Sequence, residues 1–589
     1  MMTVFRRIPE LVSIRNIEDK RVESFRIAIG RVLVINASIT AIILLWNQGL
    51  RCPVPAFLSF PVSIIDYFSF VVLLCAVALR LYTAHTAIRT RSGVLSFLLW
   101  ILALVRLLTA HDTRPLILAG QLTLIWTSRY MTDVRERFVE QLISRAAHLV
   151  PVSFLAAIFI GSLLLFLPAA SMPDSSTSYI DALFTSTSAT CVTGLIVTST
   201  PHHFSSFGQW TILILIQIGG LGMMTLSLAV LAFFNRAATG RQREALLEIL
   251  PGVGRPEIYR MVRFLFTVTF VIEGIGFCIL MLLGLPPSPS GASPAFNSLF
   301  HSVSAFCNAG FSLYDDSLSH ASGGVIFTVA ILIILGGLGF IVLRECIHKR
   351  TLSLMTRRMK AMTWWSSLSL HTKMVLISTI ILIFAGWLIV FYGEYDNLLR
   401  DYSFNMKSLH SFFHSVTLRT AGFNTLPVAL FSPALLFGMC ILMFIGASPG
   451  STGGGIKTST TAVLLLSLKS LISGRGTLEF HGRSIDERLF QRAVAIGLMS
   501  IATLAVGIFF LLISETHSAL DLIFEATSAF GTVGLSTGIT PHLTFSGKVI
   551  IIILMFFGRV GPLTIALSMG RKRVATGRYR YPTGNVLVG

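Results

Sequence analysis

Four short glycine loops at near-constant intervals constrain this chain more than any other feature. They read FTSTSATCVTGL (Phe184–Leu195), FHSVSAFCNAGF (Phe300–Phe311), FFHSVTLRTAGF (Phe412–Phe423) and FEATSAFGTVGL (Phe524–Leu535). Their glycines stand at 194, 310, 422 and 534, giving spacings of 116, 112 and 112 residues. A period this long is one multi-helix unit stated four times. Each loop starts as hydroxyl-rich helical text and ends as an extended stretch around glycine, the pattern of a helix that enters a membrane and a strand that leaves it.

Composition agrees with a membrane setting. Of 589 residues, 53% are hydrophobic and 12% charged, against about 25% charged in a soluble domain. Apolar runs of about 20 residues suit spanning helices. The net charge of +19 is explained by basic cytoplasmic loops and does not call for nucleic acid. The seven cysteines are scattered without a CxxC, so neither a zinc site nor a disulfide framework is indicated.

The expected fold is an all-α integral membrane protein: four tandem helix–pore-loop–helix repeats around one pore, plus four extra N-terminal transmembrane helices. Its parts are a cytoplasmic arm (1–27), the extra region (28–130), a basic connector (131–149), the pore domain (150–570) and a basic tail (571–589). The repeats cover about 150–234, 262–343, 373–472 and 490–569. Residues 169–207 and 285–325 hold no Lys or Arg, whereas 234–263 and 344–373 are rich in them. Positive-inside counting therefore places the glycine loops outside and both termini in the cytoplasm.

A dehydrated cation needs oxygens in place of water, and backbone carbonyls supply them without a trapping charge. Glycine reaches the required backbone angles at little steric cost. The expected filter comprises Thr190, Cys191, Val192, Thr193 and Gly194; Cys307, Asn308, Ala309 and Gly310; Arg419, Thr420, Ala421 and Gly422; and Gly531, Thr532, Val533 and Gly534. Hydroxyls of Thr190, Thr193, Thr420 and Thr532 are expected to add to the lower ring. Asp181, Asp521 and Glu525 begin pore helices and are placed to attract cations at the outer mouth; for Asp181 and Asp521 the alternative is an ordinary N-terminal cap. Loop three is one residue shorter than loop two and carries Arg419, which is expected to turn from the axis and pair with an acid such as Glu525.

Residues Gly446–Lys457, GASPGSTGGGIK, hold five glycines and a proline, so no helix survives there. Broken backbone at membrane depth lines a cavity or is buried in protein. A gate below the filter is the expectation, formed by Gly450, Ser451, Thr452, Gly453, Gly454, Gly455 and Lys457. A phosphate loop is disfavoured because Ile456 separates Gly455 from Lys457. Arg559, inside an apolar span, is expected to face the cavity and hold the pore shut; capping of broken-helix carbonyls is the alternative. The GGLG stretches at Gly219–Gly222 and Gly336–Gly339 are read as close-packing surfaces.

These motifs resemble the Trk/Ktr/HKT superfamily of potassium transporters, most closely the Ktr membrane subunit, over about residues 145–570. The resemblance rests on CVTG (191–194), NAGF (308–311), RTAGFNT (419–425), GSTGGGIK (450–457) and GRVGPLT (558–564). It implies potassium transport, K+ at Gly194, Gly310, Gly422 and Gly534, no covalent cofactor, a homodimer in membrane lipid and a cytoplasmic nucleotide-binding regulatory ring. Glycine in all four filters goes with potassium; sodium coupling is left open. Residues 1–130 and the thiols Cys191 and Cys307 depart from that pattern, and the thiols are expected to pack behind the filter. The alternative is a Na+- or H+-coupled transporter of another solute, but such folds usually show inverted repeats and these run parallel. A membrane enzyme ranks last, because no acid–base or metal constellation assembles.

Overall fold

The computed structural model describes residues 146–173, 175–234, 255–347, 365–474 and 478–569. The expected arm, four-helix region, most of the connector and the tail lie outside them. What is described is mostly helical, with almost no strand, and falls into four successive sets.

The first set is α1 (Ala146–Phe166), a short α2 (Tyr179–Cys191) and α3 (Ser206–Phe234). The second is α4 (Arg255–Leu283), α5 (Pro294–Phe306), α6 (Gly323–Leu338) and α7 (Phe340–Ile347). The third is α8 (Leu370–Gly393), α9 (Phe404–Thr417), α10 (Pro433–Phe444) and α11 (Thr458–Ile472). A hairpin pairing Glu479 with Ser484 leads to the fourth: α12 (Glu487–Ser514), α13 (Ala519–Gly531), α14 (Phe545–Val560) and α15 (Pro562–Met569).

The short helices α2, α5, α9 and α13 start alike, each behind a serine: Ser178, Ser293, Ser403 and Ser518. Three of these accept the N–H of the third residue on, which satisfies a free donor of the first turn. Three short helices also dock by one device. Ser186 donates to Ile158 O at 2.7 Å, Ser302 to Glu273 O at 2.7 Å and Ser415 to Ile383 O at 2.5 Å. Each donor faces a glycine of the long helix, Gly161, Gly276 or Gly386, where a Cβ would collide with the hydroxyl. In α13 the matching position is Ala526, and no such bond forms.

Two expected spans are broken. The apolar stretch that closes the second repeat, 323–343, is not one helix: α6 stops at Leu338, and α7 leaves at 100°. Gly339 stands at φ +88°, a left-handed turn that ends α6. Likewise Gly561, at φ +89°, ends α14, and Pro562 opens α15, a position where its missing N–H costs nothing. Among the described residues, three helices are long and apolar enough to cross a bilayer unaided: Arg263–Leu283, Leu370–Gly393 and Glu487–Ser514.

Polarity runs opposite to that of a water-soluble domain. Ser186, Thr187, Ser188, His301, Ser304, His410, His414 and Ser528 are buried. Phe159, Phe270, Leu282, Phe384, Phe509 and Phe510 are exposed on the outside. An apolar outer surface around a polar interior is what a hydrocarbon surrounding requires.

Candidate functional site

The four glycine loops meet. A Cβ built on Gly194 would stand 2.5 Å from Ala309 O, one on Gly310 2.5 Å from Ala421 O, and one on Gly422 2.5 Å from Val533 O. A Cβ on Gly534 would strike Thr193 O, which closes the circle. Each glycine thus abuts the carbonyl preceding the next glycine, in cyclic order. The glycines hold φ of +95°, +71°, +80° and +91°.

The residue two before each glycine is also left-handed: Val192 at +57°, Asn308 at +60°, Thr420 at +79° and Thr532 at +50°. For β-branched Val192, Thr420 and Thr532 this is a strained conformation, held only by what surrounds it. The supports are local. Thr193 N–H donates to Ser188 O, Ala309 to Ser304 O and Val533 to Ser528 O, at 2.7–2.8 Å. In the shorter third loop Ala421 N–H reaches Thr417 O, one residue nearer, at 2.9 Å. Ser188 and Ser528 hydroxyls accept from Gly194 and Gly534 N–H at 3.1 and 3.0 Å. Ser304 and Thr417 instead donate to Phe311 O and Phe423 O at 2.7 Å. These pore-helix hydroxyls were not singled out in the sequence, although they recur five or six residues before each glycine.

Above the ring lies a cavity of about 250 Å³ lined by all four glycines, Ser312, Asn424, Ser536 and Asp315. The hydroxyls of Thr190 and Thr193 are buried without a hydrogen-bond partner. Thr532 Oγ1 accepts from Gly454 N–H at 2.8 Å, and Thr420 Oγ1 lies 3.3 Å from the Asn308 amide. Gly531 is the last residue of α13 and packs beside Met443 O. Cys191 and Cys307 are buried and turn away: Cys307 Sγ lies 3.7 Å from Gln217 Oε1 and 3.8 Å from Glu273 Oε1.

The stretch 446–457 is non-helical and lies directly beneath this ring. A Cβ on Gly454 would meet Thr532 Oγ1 at 2.5 Å, and one on Gly453 would strike Thr420 Oγ1. Its backbone is tied on several sides. Ser448 N–H donates to Gly337 O at 3.2 Å, Thr452 N–H to Gly336 O at 3.4 Å, and Gly455 N–H to Gly558 O at 3.2 Å. Gly450 O accepts from Phe340 N–H at 3.0 Å. The second GGLG stretch is therefore a helix end that docks this loop as well as a packing surface. The close-approach reading holds at Gly219 and Gly336, where a Cβ would collide with Thr190 O and Phe306 O.

Arg559 is 1% exposed. Its Nη1 donates to Thr452 O and its Nη2 to Gly219 O. Rather than facing an open cavity, the guanidinium caps loop and helix carbonyls and bridges stretch 446–457 to α3. Lys457 Nζ donates to Gly453 O of its own loop at 2.7 Å, and Ser451 Oγ is buried unpartnered.

One expectation about charge fails. Arg419 does not pair with Glu525: its Nε and Nη2 are buried without a partner, and Glu525 accepts a hydrogen bond from the Thr540 hydroxyl instead. Of the two readings of Asp181 and Asp521, the bonds favour the one at the helix cap over the one at the mouth. Ser178 and Ser518, which cap the helices, donate their hydroxyls to Asp181 and Asp521 at 2.6 Å, and Asp181 pairs with Lys548 at 2.7 Å. Glu525 lies mid-helix. The acid at the mouth is Asp315, five residues past Gly310, which escapes a search of helix starts because it follows the loop rather than opening a helix.

The TrkH family model, described as a cation transport protein, matches residues 122–572. The chain is 38% identical over 465 residues to the Ktr system potassium uptake protein B of Bacillus subtilis, covering 78% of this chain and 100% of that protein. It is 37% identical over 467 residues to the potassium/sodium uptake protein NtpJ of Enterococcus hirae, covering 78% and 100%. The crystal structure of the potassium transporter TrkH from Vibrio parahaemolyticus superposes with TM-score 0.58 at 18% identity, covering 93% of this chain and 98% of that one. That last likeness speaks for the fold. With these matches spanning the ring, the loop beneath it and Arg559, the chain belongs to the TrkH family of cation transport proteins, multi-pass proteins of the membrane.

Proposed function

We propose that the chain is the pore-forming subunit of a potassium uptake system of the Ktr/Trk type, and that the four-glycine ring is its selectivity filter. The single observation that carries this reading is the closed circle, in which each glycine leaves room for the carbonyl of the next loop. On this reading the eight left-handed residues turn backbone oxygens towards a common axis, where they would replace an ion's water without a trapping charge. The alkali ion is cargo, taken as K+ from the four glycines and from the relatives' names; sodium as co-ion is the coarser companion suggested by NtpJ.

Stretch 446–457 is the gate, placed under the ring and held there by Arg559. The system name of the Ktr relatives implies a second subunit; we assign it as a cytoplasmic nucleotide-binding ring. A homodimer in the plasma membrane, with both termini in the cytoplasm, completes the proposal.

Rubidium uptake in bacterial cells lacking their own potassium uptake systems tests it, with a regulatory ring protein co-expressed. Saturable uptake in wild type, with sodium competing better in Gly194→Ser, is expected. Uptake whose selectivity is unmoved by Gly194→Ser would place selection elsewhere and overturn the filter assignment.

A further inference from the structure

Among the described residues, Asp315 is the one charged residue lining the cavity above the glycine ring. It sits in the second set but is held by the first. Ser199 Oγ donates to its Oδ1 at 2.5 Å, and His202 Nε2 stands 3.1 Å from its Oδ2. Its neighbour Asp316 pairs with His320 at 3.8 Å and does not line the cavity. No Lys or Arg occurs in 169–207 or 285–325. Of the other acids near the outer ends of the helices, Asp181 and Asp521 are bonded by serine hydroxyls, Glu394 by Ser432 N–H and Asn397, and Glu515 by Thr544, and none of these, nor Asp396 or Asp401, lines the cavity. A single carboxylate therefore faces a cavity otherwise lined by hydroxyls, an amide, apolar side chains and backbone.

We propose that Asp315 is the outer capture site of the pore, attracting a hydrated monovalent cation into the cavity before the ion sheds water at the ring. This rests on reading the ring as an ion path. The side chain is 46% exposed, so its charge stays solvated and its attraction is reversible. One carboxylate with neutral companions suits a monovalent ion; a divalent ion takes several charged ligands. A unit charge about 5–7 Å away in a water-like medium raises local cation concentration roughly three- to fourfold, and low-dielectric walls increase this. The effect belongs to half-saturation, not to maximal rate, because the ring below is untouched.

The test is rubidium uptake against concentration in Asp315→Asn, Asp315→Glu, Asp316→Asn and Gly310→Ser, with surface amounts measured. Sorbitol balances osmolarity at low ionic strength, and N-methylglucamine chloride raises it. Asn keeps an acceptor for Ser199, so the tether survives while the charge goes. At low ionic strength Asp315→Asn should raise half-saturation about three- to tenfold with unchanged maximal rate. The ratio should fall towards one in about 0.5 M salt, where screening reaches a few ångström. Asp315→Glu should restore most of the affinity, and Asp316→Asn should match wild type. Unchanged half-saturation in Asp315→Asn, or a shift indifferent to salt, would overturn the capture role. If that occurs while Gly310→Ser still loses selectivity, the ring assignment stands alone; if Gly310→Ser is also silent, both fall.

Discussion

Adding one methyl group to the ring, Gly310→Ala, is the most informative small perturbation. The new Cβ would lie 2.5 Å from Ala421 O and 2.9 Å from Gly422 Cα, both backbone atoms of the next loop. Ordinary carbon–oxygen contact is near 3.4 Å, so the third loop must shift by roughly 0.5–1 Å or the second must unwind. The left-handed backbone, at φ +71°, costs a side chain about 1–2 kcal/mol by itself. Overpacking adds about 1–3 kcal/mol, and the two together put about 2–5 kcal/mol on the ring. Gly284 is the matched control. It has φ +72° and nothing within 4 Å of where a Cβ would stand, so Gly284→Ala carries the backbone cost alone. Competition of sodium with rubidium uptake, with melting temperature alongside, reads both. Gly310→Ala should lose discrimination and melt lower than Gly284→Ala, which should keep wild-type discrimination. Equal behaviour of the two variants would refute the crowding on which the ring depends.

Three further outcomes follow from other contacts. Arg559→Ala removes two charge-assisted bonds to Thr452 O and Gly219 O and should shift the gate towards open by about tenfold or more, read as faster initial rubidium uptake; slower or equal uptake would count against a gating tie. Lys548→Met breaks the partly buried pair with Asp181, 2.7 Å long at 15% and 18% exposure, and should cost about 1–2 kcal/mol, seen as a lower melting temperature that Asp181→Asn does not lower further. Burial pushes the His203 ring below its ordinary pKa, more than nearby Asp181 raises it. The unfolded chain then binds the extra proton first, so stability should be full above the ordinary histidine range and fall as pH drops through it. His203→Gln should flatten that part of the melting-versus-pH curve, and an unchanged slope would exclude His203 as its source.

Much of the site was legible because its chemistry is written locally. Gly194, Gly310, Gly422 and Gly534 need left-handed backbone, and glycine at near-equal spacing announces that need. The five glycines of 446–457 forbid helix wherever they fall. Helix breaks at Gly339 and Gly561 were harder to see, since hydropathy continues across them while one backbone angle turns the chain. Side-chain partners were least legible. Arg419 and Glu525 carry opposite charges and lie in neighbouring loops, yet Thr540, fifteen residues past Glu525, occupies that carboxylate. Asp181 looked like a mouth acid, but pairing with Lys548 across 367 residues depends on how the fourth set closes against the first. Asp315 likewise gains its place from another set, held by Ser199 and His202 of the first.

Rubidium soaked into crystals of the full chain, located by its anomalous scattering, tests the central claim most directly. A filter at the ring predicts anomalous density on the axis among Gly194, Gly310, Gly422 and Gly534, lost or moved in Gly310→Ala. Well-ordered crystals with rubidium density elsewhere in the chain and none at the ring would contradict it.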